Sequence, residues 1–289
     1  AELCPKDQIR RPEAARVPGA KIVMLTGPSA SGKTTSATVW QSSAKRGTPA
    51  QVVSLDNFFK RRRVLSAPAG RHAGLREPRY AGSASHQAVP AGAERDGQDR
   101  AAIYDFSAEK RSAEVEPIDL QGGVCIVEGI HALNPELTGL VKGDDIYRIY
   151  AGLREEYCID GRRVINTQDI RLCRRTLRDA AARGRSPEKT LAMWDRVLDG
   201  ETRYIKGFKT TADFLLDTSF TYELGLISKL LGVVRRQFTL EGHNAELWDE
   251  TARRFEHVAP LELELLPEDS MLREFYGGAA DRRAQNADV

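Results

Sequence analysis

The sequence predicts an α/β fold with a doubly wound parallel sheet. Three observations carry this expectation. The runs Lys21–Thr26, Val52–Asp56 and Val124–Glu128 are short and almost continuously apolar, as strands buried on both faces of a parallel sheet must be. The second and third end in a carboxylate, and the first ends at Gly27. A helix-compatible stretch, Thr34 to Arg46, comes after the first run and is stopped by Gly47 and Pro49.

The first run opens the most informative stretch. Gly27-Pro28-Ser29-Ala30-Ser31-Gly32-Lys33-Thr34 fits G-x-x-x-x-G-K-[ST], with a strand before it and a helix after it. A chance glycine-rich turn would lack that context. Small residues let the main chain curl so that its N–H groups face a polyphosphate, and the helix after it adds its positive end. The backbone and side chains of Gly27, Ser29, Ser31, Gly32, Lys33, Thr34 and Thr35 are therefore the candidate ATP-binding set. Lys33 supplies a point charge for the β- and γ-phosphates, and the Thr34 hydroxyl can ligate Mg²⁺.

Composition narrows the class. The chain has 289 residues, enough for one large domain or two small ones, and a net charge of +2. That charge gives no global bias toward nucleic acid or an anionic membrane, and the run Arg61–Arg63 lacks interleaved aromatics. Cys4, Cys125, Cys158 and Cys173 form no C-x-x-C pair, which argues against a zinc site and fits a reducing compartment. No apolar run reaches the roughly 18 residues that span a bilayer, and no signal peptide is visible. The expectation is a cytoplasmic protein without nucleic-acid or membrane partners, and a homo-oligomer is compatible with it. Residues 1–20 are polar, carry Pro5, Pro12 and Pro18, and read as a tail or the stub of a longer chain.

Beyond the phosphate loop, Asp56 ends the second strand, where ligands of open α/β sheets bind. Position alone is equally compatible with a general base and with a capping or loop aspartate. Residues 61–102 are rich in Arg, Ala, Gly and Ser, with aliphatics at Val64, Leu65, Leu75 and Val89 in no period. Better patterning resumes at Ile103-Tyr104-Asp105-Phe106. Glu128 ends the third strand, either as an ordinary strand-end acid or, beside a phosphate loop, as an Mg²⁺ ligand; the loop favours the second. Asp145–Tyr150 and Ala212–Asp217 read as further strands.

The segment 169–185 is helical by period, with Ile170, Cys173, Leu177 and Ala181 on one stripe. Arg171, Arg174, Arg175 and Arg178 form another stripe, and Gly184 can end the helix with Arg183 and Arg185 at its tip. Such a stripe is either a solvated face or a cationic lid over phosphates. Ser186-Pro187 is a helix start, with a helix expected to about Asp199 carrying Leu191, Trp194 and Leu198. From Tyr222 the chain is mostly helical, with Leu224, Ile227, Leu230 and Leu231 in period, and the tail after Gly278 is polar.

Several separate stretches together resemble the uridine kinase family of P-loop nucleoside kinases, related to phosphoribulokinase. They are Gly27–Thr35, Ser54-Leu55-Asp56-Asn57-Phe58-Phe59, Tyr104-Asp105-Phe106 with Lys110-Arg111, and Val127-Glu128-Gly129-Ile130-His131. The arginine helix with Arg183-Gly184-Arg185-Ser186, and Ala212-Asp213, complete the set. Thr190-Leu191-Ala192-Met193-Trp194 and Leu272-Arg273-Glu274-Phe275 are similar to the kinase part of long bacterial nucleoside kinases. The resemblance implies a P-loop NTPase fold, with an arginine-bearing lid helix and a helical C-terminal region. Residues 21–220 would form the kinase domain, 221–278 the helical extension and 279–289 a loose tail.

The resemblance further implies transfer of the γ-phosphate of ATP or GTP to the 5′-hydroxyl of uridine or cytidine. Asp56 would be the base, Lys33, Arg178 and Arg183 would act on the phosphates, and Arg185 would bind ATP. Thr34 and Glu128 would serve Mg²⁺, Tyr104 would lie against the nucleobase, and Arg175 would reach the substrate. Glu109 stands where shorter uridine kinases place a base-contacting histidine. Residues 61–102 lack the family's nucleoside-binding segment. In a shifted reading frame, codons for Arg61 to His86 can encode a segment close to the missing one, so a frame shift restored near Ile103 is the specific expectation. Two other readings stand beside this one: a kinase of another small hydroxyl compound, such as a sugar phosphate or pantothenate, and a nucleotide-binding regulatory module without turnover.

Overall fold

The computed structural model describes residues 20–44, 49–58, 99–105, 110–118, 120, 122–135 and 146–276, and for residues 43, 44, 58, 99–105 and 110–117 the backbone alone. Residues 1–19, most of the segment 61–102, Phe106, Glu109 and the tail lie outside the described residues, as does the frame-shift expectation that rests on that segment. The chain groups into two compact units. The first takes the described parts of Ala1–Pro28, Lys33–Ala151 and Arg196–Leu216. The second takes Ser29–Gly32, Gly152–Asp195 and Asp217–Val289.

The first unit is built on β1 (Ile22–Thr26), α1 (Lys33–Ala44), β2 (Ala50–Ser54), β5 (Val124–Glu128), β6 (Ile146–Gly152) and β9 (Phe214–Asp217). These strands form a parallel five-stranded sheet in the order β2-β5-β1-β6-β9. β1 is therefore central, with β5 on one side and β6 on the other. Alternation along β1 explains its burial. Val23 and Leu25 pack with Ala37 and Trp40 of α1, and with Ile126, Ile149 and Leu216. Met24 points to the other face, with Leu133, Ile146 and Phe208. Covering both faces is what makes the strand read as one apolar run. Each such fully buried side chain contributes about 1.5–3 kcal/mol.

In the sequence between β2 and β5 comes a separate antiparallel pair, β3 (Asp99–Asp105) and β4 (Lys110–Ile118), with Tyr104 opposite Arg111. Strand structure thus begins at Asp99, earlier than the patterning at Ile103 suggests, because pairing with β4 carries Arg100, Ala101 and Ala102 into the ladder. β2 stops at Ser54, and Asp56 falls in a 3₁₀ turn, Leu55–Phe58, rather than at a strand end. The β2–β5 ladder ends at the Ser54–Glu128 pair, and Leu55 then packs with Val127 and Ala132.

The second unit contains the hairpin β7 (Tyr157–Ile159) and β8 (Arg162–Ile165), then α2 (Thr167–Ala182) and α3 (Pro187–Leu191). The single helix expected from Ser186 is two. α3 ends at Leu191, and α4 (Trp194–Tyr204) begins after a turn closed by Met193 N–H to the Thr190 carbonyl at 3.3 Å. The break keeps Leu191 and Trp194 both buried. The remainder is α5 (Glu223–Gln237), which buries Leu224, Ile227, Leu230 and Leu231, and α6 (Gly242–Arg254). Trp248 of α6 is wholly buried and donates its ring N–H to the Leu231 carbonyl. Among the described residues, no helix is long and apolar enough to cross a membrane.

Candidate active site

In the first unit, the parallel register sets the site. Leu25 of β1 and Ser54 of β2 both lie level with Glu128 of β5. The three strands therefore finish together, and the candidate residues Glu128, Lys33, Thr34 and Asp56 lie at or just beyond their ends. After β1 the chain enters the phosphate loop, with Gly27 of this unit at φ 155° and, in the stretch grouped with the second unit, Ala30 at 58° and Gly32 at 77°. Gly32 needs its freedom, because an L-residue is disfavoured at that φ. Lys33 opens α1 and is 8% exposed; its ammonium folds back and donates to the Pro28 carbonyl at 2.9 Å.

Glu128 is 3% exposed and holds two hydroxyls. Ser54 Oγ donates to its Oε1 at 2.6 Å, and Thr34 Oγ1 donates to its Oε2 at 3.4 Å. Gly129 comes next, at a point of close approach, where a Cβ would lie 2.8 Å from the Leu55 Cβ. Asp56 is half-buried, two residues beyond Ser54. The hydroxyl of Thr34 and the carboxylate of Glu128 form an all-oxygen donor pair, the chemistry of a hard cation such as Mg²⁺. Among the described residues there is no group of three or more His, Cys, Asp or Glu that could cage a metal.

In the second unit, α2 carries the arginines. Asn166 caps it, accepting from the Gln168 and Asp169 amides at 2.8 and 3.2 Å, while Asp169 accepts from the Asn166 amide at 2.9 Å. This capping box fixes where the helix begins. Burial raises the Asp169 carboxyl, with a smaller push from the Glu250 charge, and the Asn166 amide and Arg254 only partly offset this. The helix ends at Ala182, with Gly184 at φ 59° and the Arg185 amide turned back to the Asp179 carbonyl at 3.0 Å.

The arginine stripe is not a solvated face. Arg171, Arg174, Arg175 and Arg178 are all 7% exposed or less. Each has named partners. Arg171 Nε donates to the Ser29 carbonyl at 2.9 Å, and Arg175 Nη1 to the Ser29 hydroxyl at 2.7 Å. Arg174 makes two bonds to Glu223, at 2.5 and 2.6 Å. Arg178 bonds Asp179 at 3.0 and 3.2 Å and lies 3.5 Å from Glu274. Arg183 is 3.7 Å from Asp179, and Arg185 Nη1 is 3.7 Å from the Met193 sulfur. Burial alone would raise the Asp179 carboxyl, but Arg175, Arg178 and Arg183 outweigh it and hold it below the usual carboxylate range. The Ser31 hydroxyl is buried, with no hydrogen-bond partner among the described residues.

Of the predicted site residues, the structure brings Lys33 to Pro28 and Thr34 to Glu128 in the first unit. In the second it brings Ser29 to Arg175, and Arg178 and Arg183 to Asp179. Tyr104 lies on β3, where only its backbone is described. Thr35 is half-buried in the first turn of α1. Sequence reasoning missed Ser54, Asp179, Glu223 and the role of Arg171. Asp179 had a readable signal, since it stands four residues from both Arg175 and Arg183 on one helix face.

Three solved structures similar to this chain can be named. One is a candidate fructose transport system kinase from Silicibacter sp. TM1040, 19% identical, covering 72% of this chain and 94% of its own, with a TM-score of 0.48. A second is a candidate uridine kinase from Bacillus stearothermophilus, 16% identical, covering 73% and 96%, with a TM-score of 0.46. The third is the YGR205w protein, 16% identical, covering 71% and 86%, with a TM-score of 0.46. No protein-family model and no curated protein matches the chain. The parallel sheet of this chain, with its phosphate loop running from the central strand into α1, is an α/β fold of the P-loop NTPase type.

Proposed function

We propose that the chain is an ATP- or GTP-dependent phosphotransferase that phosphorylates the 5′-hydroxyl of a pyrimidine nucleoside, uridine or cytidine. The observation that carries this reading is the Glu128 carboxylate, held by Ser54 and aimed at Thr34 immediately after Lys33. A nucleotide-binding loop thus has a buried acid at its metal-side hydroxyl. The choice of acceptor rests on the resemblance of the motifs around Asp56, Tyr104 and the arginine helix.

In this reading the loop amides and Lys33 hold the β- and γ-phosphates. Thr34 and Glu128 would hold Mg²⁺, which neutralises phosphate charge when bound. Asp56 accepts the proton of the acceptor hydroxyl as its oxygen bonds to the γ-phosphorus. The bond from that phosphorus to the β,γ-bridging oxygen breaks, and ADP or GDP leaves with the electron pair. Arg178, Arg183 and Arg185 offset the charge on the phosphates, and Arg175 and Tyr104 serve the acceptor. Catalysis is then mainly positioning and electrostatics.

The test is nucleotide consumption by the full chain with Mg²⁺ and a panel of uridine, cytidine, sugar phosphates and pantothenate. Uridine- or cytidine-dependent ADP release supports the proposal. Turnover with another acceptor alone moves the substrate and keeps the chemistry. Nucleotide binding with no acceptor-dependent turnover overturns the enzyme reading in favour of a binding module.

A further inference from the structure

We propose that Arg171 and Arg174 are positioning residues that fix the peptide planes of the phosphate loop, rather than ligands of the phosphate. The inference rests on the reading that this loop receives a phosphate. All the residues concerned lie in the second unit.

The backbone angles of Ala30 are set by the two peptide planes that flank it. Arg171 Nε holds the carbonyl of the first plane, Ser29 O, at 2.9 Å. Arg174 Nη1 reaches the carbonyl of the second, Ala30 O, at 3.4 Å. A trans peptide is planar, so its carbonyl and the next residue's amide point opposite ways. Holding Ser29 O therefore aims the Ala30 N–H away from Arg171. Holding Ala30 O aims the Ser31 N–H away from Arg174. Ala30 also has φ 58°, a conformation that L-residues seldom adopt. Two charged tethers, one on each side, keep it there. A guanidinium on a carbonyl polarises the peptide, which strengthens its N–H as a donor.

The tethers are themselves anchored. Arg174 is fully buried, bonds Glu223 twice, donates to the Thr218 carbonyl at 2.8 Å and lies 4.8 Å from the Phe275 ring centroid. Glu223 also accepts from the Tyr276 hydroxyl at 2.5 Å. Arg171 lies 5.7 Å from the Trp194 ring centroid. The segment carrying Phe275 and Tyr276 is thereby linked to the phosphate loop through Arg174. Its Met271 sulfur would lie 2.7 Å from a Cβ on Gly32, so this segment meets the loop at a second point.

The test reads backbone amide resonances of Ala30 and Ser31 in nucleotide-free full chain, together with ATP affinity. Arg171→Met removes one tether and keeps the aliphatic stem. Arg174→Met with Glu223→Leu and Tyr276→Phe removes the other without leaving a buried charge, an exchange that buried ion pairs often tolerate. The expected result is a displaced Ala30 amide in the first variant and a displaced Ser31 amide in the second. ATP binding should weaken about tenfold in each, the cost of a charge-assisted hydrogen bond. Arg171→Lys should recover most of the Ala30 shift and of the affinity. Folded variants whose Ala30 and Ser31 amides stay at wild-type positions overturn the proposal. Wild-type protein that binds no ATP would remove the nucleotide reading alone, because the spectra judge the tethers in its absence.

Discussion

The Arg174 guanidinium and the Glu223 carboxylate meet through two hydrogen bonds of 2.5 and 2.6 Å, and neither side chain is open to solvent. Burial alone would lower the Arg174 pKa; Glu223 outweighs it and raises it. The two charges exist in that environment only as a pair. Glu223→Ala should therefore destabilise the fold by about 3–5 kcal/mol, because it strands a buried cation. Urea unfolding of the two proteins at pH 7 measures this. A loss under about 1 kcal/mol would mean that water reaches Arg174.

Asp179 gives a pH dependence whose sign is fixed. Its folded pKa lies below the ordinary value near 3.9, through Arg175, Arg178 and Arg183. Its contribution is present in full above the ordinary carboxylate range and fades as pH falls through the depressed value. Asp179→Asn should cost about 3 kcal/mol at pH 7. The gap to wild type should narrow as pH drops below about 4. Unfolding curves for both proteins across pH 3 to 7 check the direction, and a gap that widens on acidification refutes it.

Ser54 and Glu128 make a separable prediction about the metal. Ser54→Ala should leave ATP binding without Mg²⁺ unchanged and weaken apparent Mg²⁺ affinity about 10–100-fold, as loss of a ligand's orienting partner does. Glu128→Gln should reduce kcat by about 10²–10³-fold, the scale of losing one preorganised electrostatic group. Mg²⁺ titrations of nucleotide consumption distinguish the two. Equal Mg²⁺ dependence in all three proteins would exclude Glu128 from the metal.

Asp56→Asn should lower kcat about 10²–10⁴-fold and leave the dissociation constant for ATP near wild type, since a general base acts on the acceptor. Equilibrium nucleotide binding and steady-state rates, measured side by side, decide it. An equally large loss of ATP affinity would place Asp56 on the nucleotide instead.

The sequence made the phosphate loop, the central strand and Glu128 legible because their signals are local. The loop is a contiguous motif, and the strands are short apolar runs. Ser54 was not legible in the same way. It meets Glu128 across 74 residues, and only the β2–β5 register joins them. The arginine stripe of α2 was ambiguous for a related reason. Period places four guanidiniums on one face, but the groups that make their burial tolerable are Glu223, Asp179 and the Ser29 and Ala30 carbonyls. Three of those four stand on other elements. The break after Leu191 also escaped, because Leu191, Trp194 and Leu198 keep a helical period across it.

The shared ladder of β1, β5 and β2 acts as a ruler for the chemistry. Leu25, Glu128 and Ser54 stand on one rung, and the loop begins two residues past that rung. Deleting Ile22 at the start of β1 would turn Val23 and Leu25 toward the opposite layer and also shift the loop by one rung. Thermal stability and turnover in this protein should therefore fail together under insertions or deletions in that strand, even where point substitutions separate them.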